Sequence, residues 1–165
     1  MRRVSIVLAA VLLLAACGTS SPTHPAPATT TADTTSAGSR HTPADVDFVR
    51  ALIPHHQQGI ALARGAASEP GARTLAEAII VTQQDEVVRM SGWLKDWSEP
   101  VPESASPVTS PTNDPIRALI AHQEEAIKLA QQEQANGTNP TALSFAKQVI
   151  ESRAAEITQL RSYLS

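Results

Sequence analysis

The 165-residue chain has a single cysteine, Cys17, so no disulfide can form within it. Aromatic residues amount to 3%. Ala, Leu, Gln and Glu set its character instead, a composition that favours helices over sheets. No apolar stretch approaches the roughly 20 residues needed to span a bilayer as a helix. A basic excess is also missing: 13 Lys plus Arg stand against 16 Asp plus Glu, for a net charge of −3. The chain therefore lacks the electrostatic footprint of a nucleic-acid binder, and no nucleic-acid partner is expected. It contains no Ser/His/Asp hydrolase motif, no Gly-rich phosphate loop and no zinc-protease motif. Nor does it contain Glu-x-x-His, the helical pair that di-iron carboxylate bundles use. A non-catalytic protein is the expectation.

The N-terminus carries an address. Arg2 and Arg3 precede an apolar run over residues 4–15, broken only by Ser5. That length fits the core of a signal peptide. The run ends in Leu14-Ala15-Ala16-Cys17, which resembles the bacterial lipobox. Residues 1–16 are expected to be removed and Cys17 to be acylated. Two acyl chains supply the two hydrocarbon signals that stable anchoring requires, so the membrane is the expected partner of Cys17. An ordinary secretory leader with a chance cysteine is the plainer alternative. After cleavage the net charge falls to −5, because Arg2 and Arg3 leave with the leader. Residues 17–42 form a Ser/Thr/Pro/Ala tract with few large apolar side chains, expected to act as a disordered tether. The localisation that follows is the extracytoplasmic face of the cell membrane.

Residues 43–165 read as one all-α domain of four helices. The first covers about residues 43–67, with Thr42 as cap and Pro43 in the first turn. The second runs over about residues 70–97. The third opens at Asp114-Pro115 and stops near Asn136-Gly137, and the fourth opens at Asn139-Pro140. A proline-containing linker, 99–112, separates hairpins 43–98 and 113–165. The hairpins are copies of one unit. Arg50-Ala51-Leu52-Ile53 returns as Arg117-Ala118-Leu119-Ile120, an offset of 67 that pairs His55 with His122. In the second helix of each unit the offset is 70, pairing Glu86 with Glu156 and Met90 with Leu160. Duplicated αα-hairpins joined by a long crossover predict a four-helix bundle with pseudo-twofold symmetry.

Helical spacing puts His55 on an apolar stripe with Phe48, Leu52, Gly59 and Leu62, and His122 on the matching stripe. His56 falls on the adjoining stripe, where the second repeat has Gln123. Leu75, Ile79, Thr82, Glu86 and Trp93 share one face, as do Phe145, Val149, Ser152, Glu156 and Tyr163. Each hairpin thus aims a histidine and a glutamate inward. Buried carboxylates are neutralised, hydrogen-bonded or bound to a cation. Two readings stand. His55, His56, His122, Glu86 and Glu156 hold copper or zinc, or Glu86 pairs with His55 and Glu156 with His122 in a metal-free polar core. Glu124, Glu125, Lys128, Glu133 and Lys147 read as a solvated face.

Ile53-Pro54-His55-His56-Gln57-Gln58-Gly59-Ile60-Ala61-Leu62-Ala63, with Gln84, Glu86, Met90, Trp93 and Leu94 later, resembles the domain of unknown function 305 family. The resemblance covers both hairpins. It implies a ferritin-like four-helix bundle, an exported bacterial protein and an association with copper, and it adds Met90 to the candidate metal ligands. Family members that look like copper binders are rich in methionine, whereas Met90 is the only methionine left here after leader removal. The scarcity of thioether sulfur shifts the expected ion from Cu(I) toward Cu(II) or Zn(II). Three functions compete: a membrane-anchored metal binder, a ferritin-like oxidase, and an envelope module that binds a protein partner with a metal-free core.

Overall fold

The computed structural model describes residues 40–103 and 113–164. The expectations for Cys17, the leader, nearly all of the tether and residues 104–112 of the linker lie outside these residues. Among the described residues there are four helices: α1 (Pro43–Ala66), α2 (Arg73–Asp96), α3 (Pro115–Asn136) and α4 (Pro140–Ser162). There is no strand among the described residues. None of these helices is long and apolar enough to cross a membrane.

The caps explain where three of the helices begin. Asp114 accepts from the Arg117 amide at 2.9 Å, opening α3. Asn139 accepts from the Thr141 and Ala142 amides, both at 3.0 Å, opening α4. At α1, Asp45 Oδ2 takes hydrogen bonds from the Thr42 amide and hydroxyl at 2.6 and 2.7 Å. Helix α2 begins three residues later than the spacing predicts. Residues 68–72 are instead tied into turns, with Ser68, Glu69 and Ala72 amides donating to Gly65, Ala66 and Glu69 carbonyls.

Helix α1 packs on α2, α3 on α4, and α1 on α3. The buried stripe of α2 is Ala76, Ile79, Gln83, Glu86, Met90 and Leu94, and that of α4 is Ala142, Phe145, Ala146, Val149, Arg153, Ile157 and Leu160. Gln83 and Arg153 therefore occupy the inward positions assigned by spacing to Thr82 and Ser152, one residue away. Thr82 is exposed and Ser152 half-buried. The apolar core is divided. One cluster contains Leu52, Ile53, Met90, Leu94, Phe145 and Val149, and the other Ala63, Ile79, Leu119, Ile157 and Leu160. Along every helix polar side chains stand between these clusters: His56; Gln83 and Glu86; His122 and Gln123; Arg153 and Glu156.

A second buried polar contact closes one end of the bundle. Asp45 Oδ1 accepts from the Thr138 and Asn139 amides at 2.9 and 2.8 Å, fastening the start of α1 to the α3–α4 turn. Glu133 faces this aspartate and is only 2% exposed, not part of a solvated face as the sequence suggests. Its carboxyl fits because Gly137 has no side chain: a Cβ there would lie 2.2 Å from Glu133 Oε1. Burial, then the adjacent Asp45, push the Glu133 carboxyl up to about 8. Burial alone would raise Asp45 too, but its hydrogen bonds from Thr42, Asn139 and Thr138 outweigh it and hold Asp45 well below the usual range.

These opposite shifts fix how stability depends on pH. Glu133's contribution is complete below its ordinary value of 4.5 and is lost as pH rises through about 8. Asp45's is present above its ordinary value of 3.8 and is lost as pH falls below that. Replacing Glu133→Gln should leave stability at pH 5 nearly unchanged and raise it at pH 8 by about 1–3 kcal/mol. Urea unfolding at the two pH values measures this; equal effects at both would contradict it.

Candidate metal centre

The polar layer contains five of the six candidate ligands, and the structure separates them into an interior network and an edge cluster. Met90 belongs to neither. It is fully buried in the apolar cluster with Leu52 and Leu94.

The interior network draws on all four helices. His56, fully buried on α1, places Nε2 2.8 Å from Glu86 Oε2. Arg153 of α4 donates from one terminal nitrogen to Glu86 and from the other to Glu156 Oε1, the latter at 2.9 Å. Gln123 of α3 donates to the second oxygen of Glu156. The Gln83 amide donates to Gln123 Oε1 at 3.2 Å. The partners thus differ from the expected His55–Glu86 and His122–Glu156 pairs. His56 and Gln123 hold the two glutamates, because these residues, rather than His55 and His122, point to the bundle centre.

Charge in this layer follows from burial and from Arg153. Burial presses Glu86 upward, but His56 and Arg153 overcome it and keep the carboxyl below the usual range. Burial lowers His56 despite the opposing pull of Glu86. Glu156 is raised by burial, with Arg153 pulling the other way. A neutral imidazole therefore lies beside an ionised Glu86, whose counter-ion is the guanidinium.

The edge cluster is built by α1 and α3. The His55 and His122 rings stack with centroids 3.7 Å apart and planes 14° from parallel. His122 Nε2 lies 2.9 Å from the His55 carbonyl oxygen. A carbonyl only accepts, so Nε2 carries the proton and Nδ1 the free lone pair. Both ring nitrogens of His55 are buried without a hydrogen-bond partner among the described residues. Glu125 Oε2 lies 3.8 Å from His55 Nε2. One donor atom from each of His55, His122 and Glu125 lies within 4.8 Å of the other two. Burial, then the charge His122 would carry, brings His55 down to about 3; burial likewise brings His122 to about 4. Both imidazoles stay neutral, lone pairs available, across the physiological range.

Gly59 permits this approach. A Cβ on it would lie 2.8 Å from His122 Nε2 and 2.4 Å from Gln83 Oε1, inside both the edge cluster and the interior network. Two residues escaped the sequence reading. Glu125, placed there on the solvated face, lies one turn after His122 on the same side of α3, a spacing visible in the sequence. Arg153 stands at the repeat position of Gln83, by the same offset of 70 that pairs Glu86 with Glu156.

The sequence profile of a domain of unknown function, DUF305, matches residues 45–115 and again 112–164. The chain belongs to the DUF305 family. The two matches coincide with the two hairpins, as the duplication requires. Among solved structures, this DUF305 chain is similar to CopM in its Cu(I)-bound form, with 30% identity over 72% of this chain and 94% of that one and a TM-score of 0.63. CopM in its Cu(II)-bound form matches with 27% identity, the same coverage and a TM-score of 0.61. A DUF305 fragment from Deinococcus radiodurans shares the fold at 23% identity, over 75% of this chain and 97% of that one, with a TM-score of 0.64. No curated protein sequence matches the chain.

Substituting Gly59→Ala should displace His122 and Gln83 together and cost about 1–3 kcal/mol of stability. Chemical unfolding of the variant measures the loss. An undiminished midpoint would show that the helix has room for the methyl group.

Proposed function

We propose that this protein binds a divalent transition metal, copper foremost, at His55, His122 and Glu125. The observation that carries the reading is half-buried His55, whose two buried ring nitrogens lack hydrogen-bond partners beside a second neutral imidazole and a carboxylate. Leaving such nitrogens unpaired costs free energy, part of which coordination of the lone-pair nitrogen to an ion would recover. The residues fit the ion. Two imidazoles and a carboxylate suit Cu(II) or Zn(II), and divalent copper binds such donors more tightly than zinc. The likeness to CopM, structures of which hold Cu(I), Cu(II) and silver, supports copper. Met90 lies in the apolar core, so among the described residues no thioether joins the cluster, which favours the divalent ion. Glu125 is exposed and gives an ion a path from solvent.

The role is one of binding rather than catalysis: buffering or sequestering the ion. The lipobox-like segment before Cys17 supports a lipid-anchored protein on the extracytoplasmic face, where it meets ions outside the cytosol.

Changing His55→Ala and His122→Ala together should lower Cu(II) affinity by more than the roughly 10–100-fold that loss of a supporting group costs. Isothermal titration of the variant would refute the site if affinity were unaltered. For the anchor, Cys17→Ala should move the protein from the membrane pellet to the soluble fraction. Retention in the pellet would refute lipid attachment at that residue.

A further inference from the structure

We infer that Arg153 is a built-in cation that occupies the central site between Glu86 and Glu156, and thereby restricts metal binding to the His55–His122–Glu125 edge. The inference rests on the metal reading and goes beyond it by naming the residue that sets where an ion is accepted. Glu86, Glu156 and His56 are the donor types a divalent ion takes, and they converge from three helices. Such a set would compete for the ion with the edge cluster. Arg153 is fully buried, and both of its terminal nitrogens are committed to the two carboxylates. Gln123 and His56 take up further capacity of the same carboxylates. An entering cation would have to displace the guanidinium, and a buried guanidinium with no carboxylate left to it is very costly. The duplication supplies an internal comparison. The equivalent position in the first hairpin is Gln83, a neutral side chain that donates to Gln123 and leaves its own oxygen without a partner. The cation is therefore a feature of one repeat, not of the bundle scaffold.

The test copies the first repeat into the second. The full chain is prepared with Cys17→Ala throughout, so that no thiol contributes, and titrated with Cu(II) and Zn(II). The Arg153→Gln variant should bind one ion more per chain than its parent. That extra ion should disappear when Glu86→Gln is added and persist when His55→Ala and His122→Ala are added. A folded Arg153→Gln variant with unchanged stoichiometry overturns the inference. If the variant does not fold without metal, recovery of helical circular dichroism on adding Zn(II) supports the inference, and no recovery overturns it. In the parent, Glu86→Gln alone should leave the bound metal unchanged; loss of an ion there also overturns it. Failure of the edge site would show separately, as unaltered binding in the double histidine variant with Arg153 intact.

Discussion

A single guanidinium between a buried and a half-buried carboxylate organises this bundle. Arg153 links Glu86 of α2 to Glu156 of α4, and through them His56 and Gln123 bring in α1 and α3. Every helix contributes a polar side chain to one layer, and that layer divides the apolar core in two. An aliphatic layer of equal volume is often no less stable than a buried ion pair, whereas removing one partner of such a pair is strongly destabilising. The network's contribution is thus one of arrangement, since it fixes which side chains meet at the centre of four similar helices.

The charge of that layer also shapes its surroundings. A unit charge repels another at 4 Å by about 4 kcal/mol at an effective dielectric of about 20, and a divalent ion by about twice as much. Burial lowers His55, His56 and His122, and the charge of Arg153 adds to the lowering in each. Neutral imidazoles result, and one of them, His55, has its ring nitrogens unpartnered at the bundle edge. In the interior Glu86 and Glu156 pair with His56, Arg153 and Gln123, not with His55 and His122 as the sequence spacing predicts. The edge keeps the donors for an ion.

Much of the fold was legible because local signals agreed. Pro43, Asp114-Pro115 and Asn139-Pro140 mark helix starts, and the offsets of 67 and 70 reveal the duplicated hairpin. Faces were harder to read. Rotation by one residue turns a helix by 100°, so Thr82 and Ser152 were placed inward where Gln83 and Arg153 lie. Long polar side chains also carry little hydrophobic signal, so an arginine on a buried stripe resembles one on a surface. Glu133 illustrates the same difficulty. Only the fit of its carboxyl against Gly137 and Asp45, made across a turn, shows that it is buried. Glu125 was misread for the opposite reason: it is exposed, yet it completes a cluster whose other members are half-buried or buried.

Arg153 fills the interior of the polar layer, and His55, His122 and Glu125 gather at its edge. Crystals of the Cu(II)-loaded protein, measured at the copper absorption edge, would locate the metal directly. The account predicts an anomalous peak among His55, His122 and Glu125 and none between Glu86 and Glu156. A peak between the two glutamates, with Arg153 displaced, would contradict it.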